Sequence, residues 1–289
     1  VTATLPCDLR DSYRLCQKIA RSRARNFYYA IRLLPEQRRH AMCAAYAFFR
    51  ACDDISDESG LTAEARQAQL EEWRARVLTP ARAPDSPLQP ALQDAIERFS
   101  VPRRYFCELI DGTLMDLAGT RYATFEDLYL YCYRVASTVG LVCLHIFGFD
   151  GSQEALDMAE AQGIAFQLTN ILRDVAEDAS LGRVYLPADD LARFGLSPEA
   201  LLRGEVGPGF EDLLRFEVQR ARGYYERSAG LPSRVDPASR PSLTAMTALY
   251  RGLLERIERS GAEVLRRRVS LSPVEKVLIA ARSWLSPRG

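Results

Sequence analysis

The sequence predicts an all-α protein built as one domain, residues 1–289. Between clusters of glycine and proline, apolar residues recur at steps of three and four, and no stretch alternates with the period of two that marks a strand. A length of 289 residues with 47 % hydrophobic content suits one core of the size at which single domains usually stop growing.

Helices are expected near 10–34, 36–57, 62–78, 88–99, 102–119, 125–149, 152–177, 209–229, 240–267 and 272–285. The second follows Pro35, a residue suited to a helix start, and carries the apolar row Ala41, Ala45, Phe48 and Cys52. Between the third and fourth, Leu78 to Pro90 holds four prolines, cannot continue a helix, and reads as a surface connector. The 77 residues before it carry too many unpaired apolar helix faces to close a core without the later helices. The sixth helix contains the uncharged run Val135 to Phe149, which is shorter than the roughly 20 apolar residues of a membrane span. Ser137, Thr138 and His145 interrupt it, so a buried core helix is expected. After the seventh, residues 179–190 contain Gly182 and Pro187 and form a candidate lid. The ninth shows the stripe Leu243, Met246, Tyr250, Leu253 and Ile257.

Charge and cysteine usage narrow the function classes. With 38 basic and 38 acidic residues the net charge is zero, so no overall field draws the chain to nucleic acid or to anionic lipid. All the basic residues except Lys18 and Lys276 are arginine, a bias that needs no functional cause. Seven scattered cysteines without a C-x-x-C pair, and only two histidines, argue against a disulfide framework or a zinc site. The opening VTATLPCDLRDSYRL lacks a signal-peptide pattern, and a cytoplasmic location is expected, with at most peripheral contact at the inner face of a membrane.

One acidic pattern occurs twice. Tyr46, Arg50, Asp53 and Asp57 form a single helical stripe, with Asp54 beside it. Gln167, Asn170, Asp174 and Asp178 form another, with Arg173 beside it. A solvated helix end would explain either copy alone. Aspartates at a helix C-terminus oppose the macrodipole by about 0.3–1 kcal/mol each, and like charges four residues apart repel by about 0.2–0.5 kcal/mol. Both costs fall twice, on helices with strongly apolar neighbours such as Phe48 and Phe166, so the stripes are read as facing an interior where charge needs partners. Oxygen donors without histidine suit a hard cation such as Mg²⁺, shared between one or two carboxylates and phosphate oxygens. With Arg50 and Arg173 close by, such ions would neutralise a departing diphosphate. The surrounding apolar surface would receive a hydrocarbon chain and keep water from a carbocation.

Together with the segments 38–50 (RRHAMCAAYAFFR), 131–140 (YCYRVASTVG) and 182–187 (GRVYLP), these motifs resemble the squalene/phytoene synthase family over residues 12 to 285. The resemblance implies an isoprenoid synthase bundle around a large central cavity, and head-to-head condensation of two prenyl diphosphates through a cyclopropyl diphosphate. It also implies that Asp53, Asp57, Asn170, Asp174 and Asp178 hold Mg²⁺ or Mn²⁺, and that Tyr46, Arg50, Gln167, Arg173, Tyr250 and Arg268 contact or orient diphosphate. Tyr131 matches a tyrosine near the migrating charge, although a purely structural tyrosine fits that position as well. Where the family carries an S-x-S-F segment, this chain has Arg23, Ala24, Arg25, Asn26 and Phe27, leaving Asn26 as the hydrogen-bonding candidate for diphosphate, with Arg23 or Arg25 as a source of charge. Arg183 and Tyr185 sit where closure over diphosphate would be useful.

The segment 26–35 (NFYYAIRLLP) leans the reading toward two farnesyl diphosphates and presqualene diphosphate or squalene. Phytoene synthesis from two geranylgeranyl diphosphates is the alternative. No glycine-rich nicotinamide fingerprint follows a strand, which leaves NADPH use open. Oligomeric state is not encoded legibly. Two other classes compete: a non-catalytic scaffold of the same fold, which the two intact acidic motifs disfavour, and a helical phosphohydrolase, for which His40 and His145 lack an adjacent aspartate.

Overall fold

The structure, a computed structural model, describes residues 8–79, 86–204 and 207–285, apart from the side chains of Arg25, Asn26, Trp284 and Leu285. In chain order the helices are α1 (Leu9–Arg23), α2 (Arg25–Ile31), α3 (Glu36–Asp57), α4 (Ala63–Leu78), α5 (Gln89–Arg98), α6 (Arg104–Leu117), α7 (Phe125–Cys132), α8 (Thr138–Phe147), α9 (Gln153–Ser180), α10 (Ala188–Arg193), α11 (Pro198–Leu202), α12 (Gly209–Arg227), α13 (Leu231–Arg234), α14 (Arg240–Ser260) and α15 (Pro273–Leu285). Among the described residues, β-type pairing is confined to an isolated antiparallel bridge between Phe149 and Val235.

Local chemistry sets several helix starts. Thr62 and Ser152 cap α4 and α9 by accepting from the Ala65 and Ala155 amides, each at 3.2 Å. Thr124 and Asp127 form a reciprocal capping box on α7. Apolar faces then gather in two buried clusters. One involves α1, α3, α5, α6 and α8, with Phe48 edge-on to Trp73 and Phe106 at 5.5 and 5.2 Å. The other involves α7, α9, α12 and α14, and Phe27, Tyr133 and Phe166 pack against both.

The expected all-α class holds, with four corrections to the elements. The helix expected over 10–34 breaks at Ala24; α1 lies on α3 while α2 turns to α14 and α15, placing the Phe27 ring 5.6 Å from Tyr250. The helix expected over 125–149 contains a π turn, Tyr133–Ser137, and ends at Phe147. Here α6 and α9 press in from two sides: a Cβ on Gly163 would lie 2.3 Å from the Ser137 Cα, and one on Gly112 would lie 2.6 Å from the Val135 side chain. The Ser137 hydroxyl also donates to the Glu160 carbonyl at 2.8 Å. Only glycine permits such approach, and a single wide turn lets the chain pass between the two helices. The helix expected over 240–267 ends at Ser260, and a 3₁₀ turn, Gly261–Leu265, follows. Finally, α9 extends to Ser180, and α10, α11 and α13 are helices too short to show a period in sequence.

Of the connector at 78–90, residues 80–85 lie outside the described residues. The candidate lid begins on the last turn of α9. Beyond it Val184, Tyr185 and Leu186 are buried, and the Ala188 and Asp189 amides donate to the Tyr122 and Ala123 carbonyls at 3.0 and 3.1 Å. The stretch Phe125–Phe147 is long and apolar enough to pass for a membrane span by composition, and half of its most apolar window is buried in the bundle.

Candidate active site

A cavity of about 800 Å³ lies between the two clusters. Both acidic helices run along it from an apolar floor to a charged mouth. Along α3 the wall reads Met42, Tyr46, Phe49, Arg50, Asp53 and Asp57; along α9 it reads Gly163, Phe166, Gln167, Asn170, Asp174 and Asp178. Apart from the adjacent pairs Phe49–Arg50 and Phe166–Gln167, each step is three or four residues, about one helical turn, so the sequence spacing keeps the aspartates on the same face as the apolar residues on both helices. Ile31, Phe147, Leu231, Val235, Leu243 and Met246 close the floor.

Arginines meet the acids at the mouth. Asp174 is gripped by Arg173, at 2.8 and 2.5 Å, and by Arg268, at 2.8 and 3.2 Å. Arg268 also reaches Glu177 at 3.2 Å, and Arg183 reaches Asp57 at 3.9 Å. On α3, Arg50 contacts Asp53 at 3.9 Å and bonds closely to Asp54, which in turn takes Arg23 at 3.2 Å. Asp54 therefore fixes Arg50 instead of facing the cavity centre itself. Asp53 is open to water within the cavity yet walled by protein, and that burial pushes its carboxyl up to about 7, with Asp57, Asp54 and Asp116 adding to the rise against Arg50. Asp178 is likewise pushed up to about 7 by burial and by Asp174, against Arg183.

The structure brings together every site residue expected from sequence except Arg25 and Asn26, whose side chains lie outside the described residues. Tyr250 stacks on Phe166 at 4.2 Å, and burial raises its phenol against the opposing pull of Arg173 and Asn170. Tyr46 is half-buried and raised for the same first cause. Tyr131 is buried, stacks on Tyr185 at 5.1 Å, and donates to Asp116 at 3.0 Å. Tyr185 donates to the other oxygen of Asp116 at 2.8 Å.

Asp116 was missed in the sequence. It lies on the face of α6 that carries Leu109 and Thr113 into the cavity, and its charge is felt by both Asp53 and Asp178. Burial raises its own carboxyl despite the two tyrosine hydrogen bonds and Arg183. A lone acid on a buried helix face was the available signal, the same one that singled out the two motifs.

The donor set fits a divalent cation held jointly with a ligand. The Asn170 carbonyl oxygen Oδ1 is buried without a hydrogen-bond partner at the cavity wall, while its amide donates to Gln167 at 3.3 Å. Among the described residues, no three carboxyl, imidazole or thiol groups converge tightly enough to cage an ion alone. One or two carboxylates completed by phosphate oxygens is the arrangement Mg²⁺ favours.

A bundle in which two acid-bearing helices open onto a deep apolar cavity defines the isoprenoid synthase class. The same architecture appears in a dehydrosqualene synthase crystallised with ligand, at a TM-score of 0.85 and 27 % identity over 96 % of each chain. It also appears in squalene synthase HpnC from Alicyclobacillus acidocaldarius, at a TM-score of 0.80 and 30 % identity over 89 % of this chain and 97 % of that one. In sequence, phytoene synthase of Mycobacterium tuberculosis is 40 % identical over 96 % of this chain and 92 % of its own length. Phytoene synthase of Arthrospira platensis is 36 % identical over 98 % and 96 %. The squalene/phytoene synthase family profile matches residues 20–275, and the chain belongs to this family of prenyltransferases, which join prenyl diphosphates head to head.

Proposed function

We propose that the protein condenses two geranylgeranyl diphosphates to phytoene. The observation that carries the reaction class is the single cavity, charged by aspartate and arginine at its mouth and apolar to its floor. The twenty-carbon substrate is supported by relatives named phytoene synthase at 36 and 40 % identity, against 27 and 30 % for the dehydrosqualene and squalene synthases. The farnesyl reading of segment 26–35 has less behind it and gives way to this alternative.

Arg50, Arg173, Arg183 and Arg268 would draw the diphosphates to the mouth, with Tyr46, Gln167 and Tyr250 orienting them and Asn26 as a further contact. Asp53, Asp57, Asn170, Asp174 and Asp178 would hold Mg²⁺ or Mn²⁺, which supplies Lewis-acid neutralisation of the leaving group. Loss of diphosphate leaves an allylic cation that the double bond of the second chain attacks. Release of a proton closes the cyclopropane, with departed diphosphate as acceptor. A second ionisation and rearrangement end in loss of another proton, so this route consumes no hydride and requires no NADPH. The apolar floor keeps water from the cations. Tyr131, its hydroxyl proton directed to Asp116, turns an electron-rich ring and oxygen toward the cavity, where cationic charge would pass.

The test is incubation with geranylgeranyl or farnesyl diphosphate and MgCl₂, with and without NADPH, followed by mass analysis of the lipid extract. A forty-carbon triene-cored hydrocarbon from the longer substrate, unaffected by NADPH, is expected. A thirty-carbon product preferred over it would restore the farnesyl reading, and prenyl alcohol alone would reject the synthase mechanism.

A further inference from the structure

At the edge of the cavity, tyrosines from three parts of the chain gather round the Asp116 carboxylate. Tyr122 from the α6–α7 loop packs on Tyr131 of α7 and on Tyr185 of the segment after α9, with ring centroids 5.5 and 6.2 Å apart, and Tyr131 and Tyr185 stack at 5.1 Å. Tyr131 and Tyr185 donate to separate oxygens of Asp116, at 3.0 and 2.8 Å. Both of them line the cavity with Asp116, whereas Tyr122 does not and backs the other two rings. The Ala188 and Asp189 amides, bonded to the Tyr122 and Ala123 carbonyls, fasten the segment that carries Tyr185 to this same loop.

An ionised carboxylate accepts hydrogen bonds and donates none. Both phenols therefore direct their protons to Asp116, and neither proton is left to point into the cavity. Burial raises the Asp116 carboxyl, while the two hydroxyl bonds and Arg183 oppose that rise and favour the charged form in which both oxygens accept. Burial and the Asp116 charge raise the two phenols in turn, which keeps the protons on the tyrosine oxygens. The two hydroxyls also interact with each other, so a turn in one is felt at the other. A hydroxyl proton aimed inward would set the positive end of an O–H dipole against a carbocation; a proton held by Asp116 leaves lone pairs there instead.

We propose that Asp116 is a positioning residue for the cationic steps: it holds the Tyr131 and Tyr185 hydroxyl protons out of the cavity, so that phenol lone pairs face the charge that follows each ionisation. The inference rests on the function proposed above and assigns Asp116 a part in it that neither acidic motif supplies. Tyr185 stands two residues beyond Arg183, whose guanidinium meets Asp57 at 3.9 Å, so a disturbed Tyr185 also reaches the diphosphate end of the cavity. The fate of the cation is therefore read separately from diphosphate release.

The test is Asp116→Asn, alone and combined with Tyr131→Phe, with diphosphate release and all lipid products measured from geranylgeranyl diphosphate and MgCl₂. Asparagine keeps the size of the side chain but offers one acceptor oxygen and an N–H donor, which occupies a phenol oxygen or turns its proton inward. Diphosphate release should stay within about threefold of wild type, while the hydrocarbon share of the products falls about tenfold in favour of cyclopropyl diphosphate and water-trapped alcohols. In the Tyr131→Phe background the asparagine should change that share by less than about twofold, because the hydroxyl it acts through is gone. Should Asp116→Asn fail to fold, Tyr131→Phe with Tyr185→Phe removes both O–H groups and should shift the products in the same direction. An unchanged hydrocarbon share would overturn the proposal, as would a fall of all products in equal proportion, which a merely structural role requires. Equal losses in the two backgrounds would also overturn it, assigning the effect to the Asp116 charge itself. Absence of any coupled product from wild type would instead defeat the function on which the inference rests, and the inference with it.

Discussion

Replacing Glu217 by glutamine should stabilise the fold at alkaline pH and flatten its pH dependence. Glu217 of α12 is 1 % exposed and shares one cation with Asp190 of α10: Arg220 meets Glu217 Oε1 at 2.7 Å and Asp190 Oδ2 at 2.6 Å. The second oxygen, Oε2, is buried and unpaired. Burial pushes the Glu217 carboxyl from its ordinary 4.5 up to about 7, with Asp190 adding to the rise and Arg220 opposing it. Between these values the folded state binds a proton that the unfolded chain does not, so stability rises as pH falls through 7 and levels off near 4.5. At about 1.4 kcal/mol per pH unit, the gap corresponds to about 3 kcal/mol of stability withheld at pH 8. Glutamine keeps the shape, needs no proton, and leaves Arg220 a carbonyl acceptor. Urea unfolding at pH 8 and pH 5 measures this: the variant should be more stable than wild type at pH 8, and the two should converge at pH 5. Parallel pH profiles for the two proteins would refute the argument. The result bears on the site because Asp190 anchors α10 directly after the loop that carries Arg183 and Tyr185.

Three further outcomes are expected. Asp53→Asn or Asp174→Asn should reduce product formation by about 10²-fold or more while leaving the helical spectrum unchanged; undiminished turnover would remove both from the charge-handling machinery. Because Asp53 and Asp178 both titrate at about 7, cation-dependent activity should fall as pH drops below 7 and the carboxyls take up protons. A flat rate profile from pH 8 to 5.5 would contradict that. Gly163→Ala should lower stability by about 1–3 kcal/mol, since its Cβ would meet the Ser137 backbone at 2.3 Å, and an unchanged denaturation midpoint would show that the π turn relaxes freely.

Much of the site was legible because it is helical. Fixed steps of three and four residues place Asp53 with Asp57, and Asp174 with Asp178, on one face of each helix wherever the helices lie. The α3 limits, Glu36–Asp57, coincide with those expected, since Pro35 starts that helix and the polar run after Asp57 stops it. The break at Ala24 was not legible: no proline or glycine marks it, and the packing of α2 against α14 and α15 decides it. The π turn was hidden for a similar reason, because its cause lies in Gly112 and Gly163, which are distant in sequence from the turn they constrain.

By itself, the sequence determined the helical class, the two acidic stripes and the family, because helix periodicity and motif order are properties of the chain read in one dimension. Only the tertiary structure decided that the stripes share one cavity, that Asp116, held by Tyr131 and Tyr185, lines it with them, and that Arg268 reaches Asp174 from 94 residues away. Those facts depend on which helix faces bury one another, a choice made by the packing of the whole core and written in no local segment.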